Sequence, residues 1–401
     1  MIKEKLAIIS SYDDFCGNAS YTKALVDGLA KHYEVTVISL DIETLRKGEA
    51  KNVRKYIKSI CKQLASVDCV NIQFEAGLFG ASRSCMKKNF FAIAKASKKL
   101  VVTVHRIHGK QNYPSLIQLG KILLKLKFKP FLAEWQNICR NNRWASLYED
   151  VITFCKARKI PVIVHTQRDR KFINLKFGYD QVFDHPLSFY DQDHLEKISK
   201  NYTRLQFCDN FSLNENNTYI GIFGFINKYK GHKTAINALK HLPNHYVLLI
   251  FGSQHPQSIN MDEEINTYIE EILCLVQSLK LTHRVKFFRI ANDDDFLKTM
   301  LCCDFNVLPY LEVNQGGSGI AALTLETNSK AVFSQNFAFF ELAKYATDAF
   351  KMFSIGNHLE LAQAILSYNK SNFEPKLNEY HKKYNLSTNA LLYQRLLSRV
   401  T

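Results

Sequence analysis

The sequence predicts an α/β chain of two doubly wound domains facing each other across a cleft. Three observations carry this. Short runs of Val, Ile, Leu and Phe recur without polar alternation, as in strands buried on both faces of a parallel sheet. Helix-like stretches separate these runs, and strand–helix alternation marks α/β architecture. The alternation runs through twice, and 401 residues suit two domains of about 150–200 residues better than one core.

The first set of strand-like runs is LAIIS (6–10), EVTVISL (34–40), DCVNIQF (68–74), LVVTVH (100–105) and PVIVH (161–165). The second is YIGIFG (219–224), YVLLIFG (246–252), RVKFFRI (284–290), DFNVLP (304–309) and AVFS (331–334). ASYTKALVDGLAKH and KTAINALKHL are typical of the helical stretches between them. The polar, Asn-rich stretch 201–219 is the expected linker. The domains are placed at 1–200 and 212–375, and a helical tail, 376–401, is expected to pack back toward the first domain.

Composition narrows the classes. No run of 18 apolar residues suggests a transmembrane helix. MIKEKLAIISSYDD lacks the long apolar region of a signal peptide, so a cytoplasmic protein is expected. The 10 cysteines are scattered, without CxxC or metal spacing, and are expected to be reduced core residues. The net charge of +16, from 53 basic and 37 acidic residues, favours an anionic partner: nucleic acid, a membrane surface or phosphorylated substrates.

Ligands of doubly wound sheets bind beyond the carboxyl ends of the strands, so residues just after strands are the candidates. After the first strand, Gly17 and Asn18 precede a helix expected from near Ser20: an anion-binding helix N-terminus or a plain capped turn. After the third, Glu75 stands beside Gly77 and Gly80, placed to receive sugar hydroxyls, or simply capping or solvated. After the fourth come His105 and His108, ligand contacts or satisfied core histidines. In the second half, Lys228 and Lys230 lie between a strand and a helix, suited to a diphosphate or merely solvated. The loop LPYLEVNQGGSGIAAL (308–323) sets three glycines and a serine before a helix. Its free N–H groups and the helix dipole favour an anion, or its glycines simply make a turn.

Together these segments resemble glycosyltransferase family 4, retaining sugar-nucleotide transferases of the GT-B fold with two Rossmann-like domains. The resemblance rests on CGNASYT (16–22), QFEAGLFG (73–80), GFINKYKG (224–231), GSQHP (252–256) and the LPY…SG loop, in the family's order. It implies that the first domain takes the acceptor and the second the nucleotide sugar. Gly17 would let the backbone approach the donor diphosphate, His105 would contact the transferred sugar, and Lys230 the diphosphate. Gly316, Gly317, Ser318 and Gly319, with Ile320 following, would bind sugar and phosphates through backbone N–H groups.

The chain also departs from the family. Phe225 stands where many members have an arginine, and Lys228 is the candidate replacement. The positions of the family's two glutamates fall on Gly316 and Thr324, neither acidic. Glu312 and Glu326 are out of register; Glu326 is either a ribose contact or an exposed helix glutamate. The implied reaction is transfer with retention, lysines and helix N–H groups stabilising the departing diphosphate. Neither a metal nor any other cofactor is expected. The DDD at 293–295 reads as helix capping. The implied activity is a hexosyltransferase building cell-surface polysaccharide of O-antigen or capsule type. A catalytically silent GT-B subunit that binds a glycan or partner is the alternative, and no nucleic acid is expected.

One stretch does not fit the sheets. Residues 112–150 mix Leu and Ile with Lys121, Lys125, Lys127 and Lys129, followed by Phe128, Phe131 and Trp135. They form a basic amphipathic extension that could rest on an anionic membrane, meeting a lipid-linked acceptor as a peripheral protein, or pack on the first domain, or form a partner interface.

Overall fold

A computed structural model describes residues 3–12, 17–107, 109–110, 128–252, 264–290, 292–311 and 317–400. Each of its two sheets is parallel throughout. The first joins β1 (Lys5–Ser10), β2 (Glu34–Ser39), β3 (Cys69–Phe74), β4 (Lys99–Val104), β5 (Val162–Val164) and β6 (Val182–Asp184) in the order β2-β1-β3-β4-β5-β6. The second joins β7 (Thr218–Phe223), β8 (Tyr246–Phe251), β9 (Val285–Phe288), β10 (Phe305–Leu308), β11 (Lys330–Ser334) and β12 (Lys351–Phe353) in the order β12-β11-β10-β7-β8-β9.

The central strands are buried along nearly their whole length because helices cover both faces. All ten expected strands are present. β6 and β12 are additional three-residue edge strands, too short and too exposed to show as apolar runs. In each sheet the chain order reverses once, between β1 and β3 in the first and between β7 and β10 in the second. Loops at such a reversal diverge and leave a crevice for ligands.

The chain divides into two compact units, 1–185 with 390–401, and 186–389. The first crossing therefore lies upstream of the polar stretch 201–219. That stretch is structured: Thr203 opens the helix Arg204–Asn210 with a capping box. Phe207 and Cys208 then bury against Tyr219, Val247 and Phe251 of the second unit. The last helix, Leu386–Leu397, carries the chain back, and Tyr393 is buried in the first unit.

Within 112–150, residues 112–127 and the side chain of Lys129 lie outside the described residues. The rest belongs to a helix, Phe128–Ala157, whose Ala145, Leu147, Tyr148, Val151, Ile152 and Cys155 are core. Leu132, near its start, is exposed. Three aspartates fill the first turn of the helix Asp293–Cys302, capped by Asn292, so the DDD triplet serves the helix dipole. Of the nine cysteines described, all free, Cys69, Cys155, Cys208 and Cys303 are buried but Cys85 and Cys274 are exposed. Among the described residues no helix is long and apolar enough to cross a membrane.

Candidate functional site

Each unit gathers polar groups at the carboxyl ends of its strands. In the first unit they grow from β3. Its Asn71 and Gln73 point to the same face, two residues apart, and both are fully buried. A buried amide without partners costs about 1–3 kcal/mol, so the network is obligatory. Asn71 Nδ2 donates to the Val101 carbonyl (3.0 Å) and to Thr103 Oγ1 (3.1 Å). Gln73 Nε2 donates to Asn71 Oδ1 (2.5 Å), and Gln73 Oε1 meets His105 Nε2 at 2.7 Å. Thr103 Oγ1 is 2.6 Å from Tyr393 OH, which is 3.4 Å from Tyr21 OH.

His105, at the end of β4, is partly exposed. A second histidine, His165, ends β5. The two rings lie 4.9 Å apart, and the edge of Tyr21 packs on both, at 5.5 and 5.1 Å. Burial, and then the neighbouring imidazole, hold His105 well below the usual histidine range. Burial also pushes His165 down to about 4, against its hydrogen bond with the His185 carbonyl (Nδ1 to O, 3.1 Å). Both rings are neutral near pH 7.

Glu75 stands at the N-cap position of the short turn Ala76–Leu78 without a side-chain cap bond, and accepts a long bond from Tyr148 OH (3.5 Å). Burial raises its pKa, opposed by Arg106 and by Tyr148. Gly17 is itself the first residue of the helix Gly17–Leu29, earlier than the expected start near Ser20. Among the described residues a Cβ there would meet nothing within 4 Å. The Asn18 carbonyl accepts from Thr22 Oγ1 (2.7 Å). His108 lies outside the described residues.

In the second unit the groups flank the β7/β10 reversal. A single turn, Lys228–Lys230, follows β7, and Gly231 then adopts φ +72° to start the helix His232–Leu239. No side chain fits there: a Cβ on Gly231 would sit 1.8 Å from the Pro309 carbonyl oxygen. The turn is thereby clamped to the loop after β10. It separates the two lysines: Lys228 is exposed, whereas Lys230 is 5% exposed.

Lys230 Nζ donates to Tyr310 OH and lies 4.3 Å from that ring's centre. It also faces Gly224, where a Cβ would be 3.2 Å from Nζ. Among the described residues no carboxylate forms an ion pair with it. Burial lowers its pKa, opposed by Tyr229. Ser318 N-caps the helix Gly319–Glu326, accepting from Ala321 N (3.3 Å), and its hydroxyl also interacts with Tyr310. Gly224 stands against Ile320, and Gly319 against the ring of Phe189. Gly317 is exposed, and Gly316 lies outside the described residues.

The structure thus brings Lys230, Gly224, Tyr310, Ser318 and Ile320 together. Glu326 stands apart from them, at the far end of the same helix, and it is not an exposed helix glutamate. It is 2% exposed, and Oε1 accepts the Phe189 N–H at 2.7 Å. Burial pushes its pKa up to about 8, against the pull of the Phe189 and Tyr190 N–H groups and Ser188. Thr324 is fully buried and donates to the Ile320 carbonyl. Among the described residues no group of three or more His, Cys, Asp or Glu side chains could hold a metal ion.

Asn71, Gln73, Tyr310, Tyr393 and His165 escaped the sequence analysis. A signal for two of them was present: polar residues two apart inside a buried run must be paired. VVTVH and PVIVH also both end in histidine.

Solved structures share this architecture over nearly the whole chain. HepE of Anabaena in complex with UDP aligns with a TM-score of 0.63 at 15% identity, covering 98% of this chain and 99% of that one. Sucrose-phosphate synthase of Thermosynechococcus elongatus gives 0.67 at 14% identity, covering 99% and 100%. A glycosyltransferase of Rickettsia africae gives 0.66 at 13% identity, covering 99% and 98%. These neighbours are GT-B glycosyltransferases, and the chain has their fold. No family model matches the chain, and no curated protein matches it.

Proposed function

We propose that the chain transfers a sugar from a nucleotide-diphosphate sugar, with retention, to a glycan or lipid-linked acceptor in cell-surface polysaccharide synthesis. The observation that carries this is Lys230. A buried ammonium group without a carboxylate is costly, and an arriving anion offsets that cost. Lys230 stands at the β7/β10 reversal beside the capped helix N-terminus at Ser318. A diphosphate there would meet one cation and the first N–H groups of the helix. Those same groups would stabilise the negative charge that grows as the diphosphate leaves. HepE of Anabaena was crystallised with UDP-glucose, which supports the donor class. His105 would meet the transferred sugar.

Thermal-shift titration with UDP-, GDP- and ADP-sugars tests the reading. A ligand at about a hundredfold its Kd adds about 2.7 kcal/mol, or about 5–10 °C in a domain of this size. Lys230→Met is expected to fold normally, lose that shift and lose turnover. Stabilisation by no nucleotide sugar would sink the proposal.

A second reading, a silent subunit that binds donor without transferring, is favoured by Thr324. It stands where many relatives have a glutamate, yet its hydroxyl is spent inside its own helix. Donor binding without product on any lipid or glycan acceptor would select it.

A further inference from the structure

We infer that Asn71 and Gln73 are positioning residues that fix the tautomer of His105, so that this histidine meets its ligand with a bare Nδ1 and takes a hydrogen bond from a ligand hydroxyl. The inference rests on the proposed transferase reading only in naming that hydroxyl as a sugar's.

The Val101 oxygen can only accept, so the Asn71 atom beside it is the NH₂ group. Asn71 Oδ1 therefore faces Gln73, and only the Gln73 NH₂ can answer it. Gln73 Oε1 is then turned to His105, and an amide oxygen accepts. Nε2 of His105 must carry the hydrogen, and in the neutral ring Nδ1 is left as a lone pair. Reversing one amide would force the other to reverse and set Asn71 Oδ1 against the Val101 oxygen. Thr103 Oγ1 supports the same assignment. It takes N–H groups from both Asn71 and Gln73, and its own hydrogen is free for Tyr393 OH.

His165 follows the same pattern. Its Nδ1–H donates to the His185 carbonyl, so its Nε2 is bare, and among the described residues that buried atom has no partner. Two adjacent imidazoles thus offer lone pairs. A phosphate oxygen brings no hydrogen to such a pair, whereas a hydroxyl does.

The test is long-range proton–nitrogen NMR of the full-length protein labelled with nitrogen-15 histidine, with His105 assigned from the signals missing in His105→Gln. The expected result is a pyrrole-type Nε2 and a pyridine-type Nδ1 at His105. A pyrrole-type Nδ1 in the wild type would overturn the inference. Gln73→Leu is expected to give mixed tautomers and to lower kcat about tenfold, the order of one lost buried hydrogen bond. Gln73→Glu keeps an oxygen for Nε2–H and is expected to hold the wild-type tautomer. It also serves if Gln73→Leu does not fold, since an Nδ1–H tautomer in Gln73→Glu refutes the lock equally. Full turnover and an unchanged tautomer in Gln73→Leu would likewise refute it. The NMR readout needs no donor, so failure to bind nucleotide sugars would remove the transferase reading and leave the tautomer result standing.

Discussion

Replacing Glu326 with Gln should remove a large pH dependence from the stability of the second unit. The carboxyl is buried at the last residue of the helix Gly319–Glu326, where the helix dipole disfavours negative charge. Asp191 and Tyr380 are the ionisable groups that face it, Ser188 is the neighbouring hydroxyl, and no cation is among them. Its pKa rises from an ordinary 4.5 to about 8. Between these values the folded chain holds a proton that the unfolded chain has released. The stability of the neutral carboxyl is therefore fully present below about pH 4.5 and is lost as pH rises toward about 8. At about 1.36 kcal/mol per pH unit, the loss is about 3 kcal/mol by pH 7 and about 5 kcal/mol by pH 9. The substituted amide would keep an oxygen for the Phe189 N–H but never ionise. Melting curves of wild type and Glu326→Gln should nearly coincide at about pH 5. The variant should melt about 10–20 °C higher at about pH 9, at about 2–4 °C per kcal/mol. Curves that stay parallel across that range would refute the reasoning.

Substitutions at two further residues probe the proposed diphosphate site of the same unit. Gly231→Ala would drive a methyl group into the Pro309 carbonyl at φ +72°. It should cost about 3 kcal/mol or more in chemical denaturation. Ser318→Ala should cost about 1 kcal/mol of stability through the lost N-cap and weaken donor binding in calorimetry. Ser318→Gly should lose only a few tenths of a kcal/mol.

Strand ends were legible in the sequence because buried parallel strands need continuous apolar runs, and the residue that ends each run is adjacent in sequence. His105 was singled out in this way, and Lys230 and Ser318 from the loops that follow β7 and β10. The polar network beneath His105 was only half legible. NIQF shows two polar residues on one face of a buried strand, but their partners Thr103 and Tyr393 lie 32 and 322 residues away from Asn71. Edge strands β6 and β12 were not legible, since their three residues are only partly buried and form no continuous apolar run, unlike the equally short but fully buried β5.

What the sequence determined by itself is the repeated α/β order and the loops in which polar and glycine residues follow strands. Both are local, set by apolar runs and turn residues. Only tertiary structure decided which of two neighbouring lysines is buried, that Glu326 is a core carboxyl, and which nitrogen of His105 carries its hydrogen. Each depends on partners far along the chain: Lys230 with Tyr310, 80 residues apart, Phe189 with Glu326, 137 apart, and Thr103 with Tyr393, 290 apart. Desolvation and hydrogen-bond polarity arise only when such distant groups are brought together, and no local pattern encodes them.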